Sequence, residues 1–93
     1  MIYSRGQMSS ITLEPGTRLT IGTAPGNGIQ LDDPALNRRT SELEITATGE
    51  VYISDLASTC GTVVNDTKID RHWRLHEKDT IRVGSSALFF GRS

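Results

Sequence analysis

The chain has 93 residues, with 10 lysines and arginines against 11 aspartates and glutamates, and a formal net charge of -1. That length suits one domain, numbered 1–93, with one modest core, and it is read as a module of a larger protein. The charge balance gives no general attraction to nucleic acid or to anionic membranes.

The one cysteine, Cys60, excludes an internal disulfide and suits a reducing intracellular setting. The opening Met1-Ile2-Tyr3-Ser4-Arg5-Gly6 has no apolar stretch of the kind a secretory leader needs. The longest apolar run, Ala87-Leu88-Phe89-Phe90, is too short to span a bilayer. Direct membrane insertion is therefore not expected, and any anchor of a parent protein would lie outside this segment.

In chain order the sequence is a series of short strand-like segments cut by turn chemistry. Ser10-Ile11-Thr12-Leu13 alternates polar and apolar and stops at Pro15-Gly16. Arg18-Leu19-Thr20-Ile21 alternates again and stops at Gly22. Ala24-Pro25-Gly26-Asn27-Gly28 is a loop by composition, and Ile29-Gln30-Leu31 is a very short strand. Glu42-Leu43-Glu44-Ile45-Thr46 places Leu43 and Ile45 on one face, as a half-buried strand does. Thr48-Gly49-Glu50 is a hairpin turn leading to Val51-Tyr52-Ile53-Ser54. Thr62-Val63-Val64 and Lys68-Ile69 flank Asn65-Asp66, a second tight turn suited to a primed hairpin. Trp73 and Leu75 read as strand core. Thr80-Ile81-Arg82-Val83 runs to Gly84, and Ala87-Leu88-Phe89-Phe90 follows.

Many short strands with regular turn signals predict an all-β sandwich or barrel. Residues 34–45 admit a helix, with Asp33 as N-cap and Pro34 at the first position. That helix would be polar nearly all round, so a loop followed by a strand is the reading adopted. The expected core is Leu43, Ile45, Ile53, Val63, Ile81 and Val83.

Over residues 21–90, about three quarters of the chain, the ordered features resemble the forkhead-associated (FHA) family. The stretches that carry the resemblance are Gly22-Thr23, Asn27-Gly28-Ile29, Leu31-Asp32-Asp33, Leu36-Asn37-Arg38-Arg39-Thr40-Ser41-Glu42-Leu43, and Asp55-Leu56-Ala57-Ser58-Thr59-Cys60-Gly61-Thr62-Val63-Val64-Asn65. Leu75, Asp79, Ile81 and Gly84 follow in order. The resemblance implies an FHA-type β-sandwich of about 11 short strands, whose loops at one end bind phosphothreonine peptides. It places the peptide- and phosphate-binding positions at Thr23, Asn37, Arg38, Arg39, Ser58, Thr59 and Cys60.

Several of those positions depart from the family pattern. Thr23 stands where the family has an arginine, and a threonine cannot offer the charged fork that grips phosphate. Asn37 replaces a serine and can still donate through its amide. Thr40 replaces the histidine that braces the second loop, and Cys60 replaces an asparagine that bonds the peptide backbone. Thr59 keeps the family's hydroxyl, while Arg38 and Arg39 keep positive charge. A hydrogen bond to a charged group contributes about 1.5–3 kcal/mol, so loss of the arginine alone costs on the order of 10- to 100-fold in affinity.

The resulting expectation is a non-catalytic protein–protein interaction module within a larger assembly, independent of phosphate. A phosphothreonine reader using Asn37, Arg38 and Thr59 is one alternative; a scaffold segment docking within its own chain is another. Within the family, domains with such losses occur in ring-forming and ATPase components of bacterial secretion systems, a setting that nothing in this sequence selects.

The other constellations are weaker. Cys60 has no histidine placed to activate it as a nucleophile. His72 and His76 with Cys60 form too thin a set for zinc, and four-residue spacing favours a shared metal only on a helix. Arg71, His72, Arg74 and Lys78 are offset by Asp70, Glu77 and Asp79, which speaks against a nucleic-acid patch. Asn65-Asp66-Thr67 fits the glycosylation pattern but is better explained as turn chemistry. No catalytic residue, metal site or cofactor is expected. The partner expected is another protein or protein segment, or a phosphothreonine peptide, and not nucleic acid.

Overall fold

A computed structural model describes residues 2–4 and 10–91. It contains eleven strands: β1 (Ile2–Ser4), β2 (Ser10–Ile11), β3 (Arg18–Gly22), β4 (Ile29–Gln30), β5 (Ser41–Ile45), β6 (Val51–Asp55), β7 (Thr62–Val64), β8 (Thr67–Ile69), β9 (Trp73–Leu75), β10 (Thr80–Val83) and β11 (Ser86–Phe90). They form two sheets, a six-stranded one in the order β2-β1-β11-β10-β7-β8 and a five-stranded one in the order β4-β3-β5-β6-β9. Every pairing is antiparallel except β3 with β4. Among the described residues no helix is long and apolar enough to cross a membrane. The segment at 34–45 is a loop followed by β5.

The core lies between the sheets. Ile21, Leu43, Ile53, Ile81, Val83 and Leu88 are fully buried, and Ile45, Val51, Val64 and Leu75 are nearly so. Each such side chain contributes roughly 1.5–3 kcal/mol by leaving water. Period-two alternation explains the set. On β5, Leu43 stands in register with Leu19 of β3 on one side and with Ile53 of β6 on the other.

Two expected core residues are corrected. Val63 is only half-buried, because β7 pairs Val64 with Ile81 on the inner face and Val63 with Arg82 on the outer one. Trp73 is 42% exposed: β9 is the edge of its sheet, and among the described residues no further strand pairs with it.

The turns follow their chemistry. Asn65 and Asp66 both adopt positive φ, 48° and 70°, the geometry of a primed two-residue hairpin. Asn65 also ties this hairpin to β10, donating to Asp79 Oδ1 at 2.7 Å while its own Oδ1 accepts from Thr80 N at 2.9 Å.

Two carboxylates act as braces. Asp33, 5% exposed, accepts from the Ala35 and Ser85 N–H groups and the Ser86 hydroxyl, joining the segment after β4 to the β10–β11 hairpin. The Ala35 bond, then the Ser86 bond, hold its carboxyl below its ordinary 3.8 against the opposing effect of burial. In the β5–β6 hairpin, Glu50 accepts from the hydroxyls of Thr46, at 2.5 Å, and Thr48. Those bonds, Thr46 first, lower its pKa from 4.5 to about 2. A carboxyl whose pKa is depressed on folding stabilises the fold above its unfolded pKa, and that contribution is lost as pH falls through the folded value. Stability should therefore decline between about pH 4.5 and about pH 2, and Glu50→Gln should flatten this decline. Chemical denaturation across that range checks it, and an unchanged slope in Glu50→Gln counts against the Glu50 brace.

Candidate functional site

Three loops meet at one end of the sandwich: residues 23–28 after β3, residues 31–40 after β4, and residues 56–61 after β6. Backbone bonds set the first two against each other. Leu31 N donates to Gly22 O at 3.0 Å, Thr40 N to Ile21 O at 2.7 Å, Thr23 N to Asn37 O at 3.2 Å and Ala24 N to Arg38 O at 3.3 Å. The Asn27 carboxamide crosses between them, donating to Ala24 O at 2.7 Å and Arg38 O at 2.8 Å. Gly22 lets the loops touch, since a Cβ there would stand 2.1 Å from Arg38 O.

The third loop is built around Asp55. Its carboxylate accepts from Ser58 N at 3.0 Å, the Ser58 hydroxyl at 2.5 Å and the Thr62 hydroxyl at 2.8 Å. Ser58 Oγ in turn accepts from Gly61 N at 2.9 Å. Gly61 has φ +81°, a conformation that favours glycine. The hydroxyls of Ser41 and Thr62 share a buried hydrogen bond of 2.6 Å, and Leu56 N donates to Thr40 O, so the third loop is tied to the start of β5.

Asn37 joins all three loops. Its carbonyl accepts from Thr23 N, and also from the hydroxyls of Thr23 and Thr40, each at 3.4 Å. Its carboxamide clasps Thr59: Oδ1 accepts from Thr59 N at 2.8 Å, and Nδ2 donates to Thr59 Oγ1 at 3.3 Å. Thr40 is fully buried within the second loop, its hydroxyl donating to Asn37 O.

The seven positions singled out in the sequence divide accordingly. Thr23, Asn37 and Thr59 are brought together, largely bonded to one another. Ser58 sits in the same loop as Thr59, but its hydroxyl is taken up by Asp55 and Gly61. Cys60 is exposed, with Sγ 3.6 Å from Gly61 O. Arg38 and Arg39 are exposed and line a recess of about 470 Å³ with Ala24, Pro25, Gly26 and Asn27. Neither has an ion-pair partner among the described residues. His72 lies apart from this end, stacked on Tyr52 at 4.3 Å and 3.3 Å from Glu44.

Sequence reasoning singled out Asp33 within Leu31-Asp32-Asp33 but not its role in bracing this end. Its Asp-Pro context, a common turn opening, was the available signal, but its link to Ser85 and Ser86 spans more than fifty positions and leaves no local pattern.

The family model of the FHA domain matches residues 8–84. The FHA domain-containing protein PS1 of Arabidopsis thaliana is 33% identical over 75 residues, covering 77% of this chain and 5% of that protein. This chain therefore spans only a small part of the curated relative it matches. An FHA domain solved for the structural and functional analysis of phosphothreonine-dependent FHA interactions is 27% identical with a TM-score of 0.89, covering 99% of this chain and 94% of that one. The FhaA FHA domain, solved in complex with the intracellular domain of Rv3910, is 27% identical with a TM-score of 0.84, over 96% and 98% of the two chains. With two packed sheets, three loops gathered at one end and a family match over most of its length, the chain belongs to the FHA domain family, whose members are protein–protein interaction modules.

Proposed function

We propose that this chain is a non-catalytic module that recognises an unphosphorylated segment of another protein through its three-loop end. The observation that carries this reading is the closure of that end upon itself. A phosphate group needs several donors converging on one point. Here Thr23 supplies no charge and its hydroxyl donates to Asn37 O, while the Asn37 amide donates to Thr59. Protein recognition is consistent with the complex formed by the FhaA domain, which holds the intracellular domain of Rv3910.

A phosphothreonine reader is the second reading. The unpaired charges of Arg38 and Arg39 favour it, as does likeness to a domain studied for phosphothreonine-dependent interactions.

An NMR titration with a degenerate threonine peptide pool, in phosphorylated and unphosphorylated form, separates the two. Equal shifts from both pools are expected. Shifts at Asn37, Arg38, Thr59 and Cys60 that appear only with the phosphorylated pool would establish the second reading instead.

A further inference from the structure

We infer that the recess beside Arg38 and Arg39 receives side-chain carboxylates, so that the partner segment is an acidic, unphosphorylated stretch of protein. This rests on the phosphate-independent reading given above and names the chemistry of its partner.

The argument begins with charge. The recess is lined by Ala24, Pro25, Gly26, Asn27, Arg38 and Arg39, with no acidic residue among them. The ion pairs of the described residues engage Arg18, His72 and Arg82, leaving the two guanidiniums of the recess unneutralised.

The backbone from which these side chains spring is fixed. Arg38 O accepts from Ala24 N and from the Asn27 carboxamide, and lies where a Cβ on residue 22 would stand. Two adjacent long cations are thus presented from an immobilised segment, which lowers the ordering cost of engaging them.

The neighbouring donors then bear on the choice of anion. Of the short donors that would converge on a phosphate, the Thr23 hydroxyl, the Thr59 N–H and one N–H of the Asn37 amide are engaged within the loops. What remains is a pair of planar forks, each able to pair bidentately with a carboxylate, as it would with a phosphate. Two neighbouring forks call for two carboxylates, as in a run of aspartates or glutamates. The recess belongs to the flank formed by residues 24–27 and 38–39, and Thr59 is not among its lining residues.

The test is an NMR titration of the intact domain with a glutamate-rich peptide, its glutamine counterpart, and a phosphothreonine peptide with uncharged flanks. The glutamate peptide should shift the Arg38 and Arg39 resonances, with binding weakening as salt is raised, and the other two should not. The double substitution Arg38→Gln, Arg39→Gln, on exposed side chains, should weaken glutamate-peptide binding by about tenfold or more with the spectrum still dispersed. The double lysine variant should retain an intermediate affinity, since it keeps charge without the fork. Equal binding of the glutamine peptide, or unchanged binding by the double glutamine variant, overturns the inference and leaves phosphate-independent recognition standing. Binding of the phosphothreonine peptide alone overturns both.

Discussion

Phosphothreonine-dependent binding is expected to appear when three loop residues are changed together, Thr23→Arg, Asn37→Ser and Cys60→Asn. The arginine returns a charged fork at the end of β3. The serine opens the clasp by which the Asn37 carboxamide holds Thr59, freeing the Thr59 N–H to donate to an anion beside the Thr59 hydroxyl. The asparagine supplies an amide where the exposed Cys60 offers only a weak thiol donor. One charge-assisted bond contributes about 1.5–3 kcal/mol, so the arginine alone should raise phosphopeptide affinity on the order of 10- to 100-fold. The lost clasp carries a cost, since two exposed hydrogen bonds together contribute roughly 1–3 kcal/mol to stability. Calorimetric titration with paired phosphorylated and unphosphorylated peptides reads the result. A folded triple variant that treats the two peptides alike would show that the loops do not correspond to those of phosphate-reading relatives.

The largest effect on folding is expected from Gly22→Ala. The added methyl would lie 2.1 Å from Arg38 O, 2.7 Å from its carbon and 2.9 Å from Arg39 Cα. All three are backbone atoms, so no rotamer change relieves the clash. The first and second loops would have to separate, breaking Thr23 N to Asn37 O and Ala24 N to Arg38 O. Overpacking of this kind costs about 1–3 kcal/mol, and the broken bonds add to it. Denaturant unfolding should show the loss, and backbone shifts should spread across residues 22–24 and 37–40. Unchanged stability would mean that the contact yields without cost.

The sequence displayed most of the scaffold because the scaffold is written in local signals. Leu43 and Ile45 alternate with glutamates, and Thr48-Gly49 and Asn65-Asp66 mark hairpins that the backbone angles bear out. Val63 and Val64 show where that legibility ends. Two adjacent valines fit either face, and only the pairing of Val64 with Ile81 selects the inner one. Trp73 was misread for a related reason: its strand has three residues and lies at an edge, facts of topology rather than of composition. In the three-loop end, the positions were recognisable by resemblance but their condition was not. Asn37 and Thr59 are 22 positions apart, and nothing in either stretch announces that the amide of one is taken up by the other.

The six-stranded sheet places β11 between β1 and β10, so Ile2 pairs with Phe90. The five-stranded sheet is complete at Leu75, and within it β5 and β6 are joined by a short hairpin. Closing a long loop costs chain entropy before any contact repays it, and folds dominated by distant pairings form slowly, in milliseconds to seconds. The two sheets therefore have different places in time. The β5–β6 hairpin can organise while the segments after it are still being synthesised, whereas the β1–β11 seam must wait until β11 has left the ribosome.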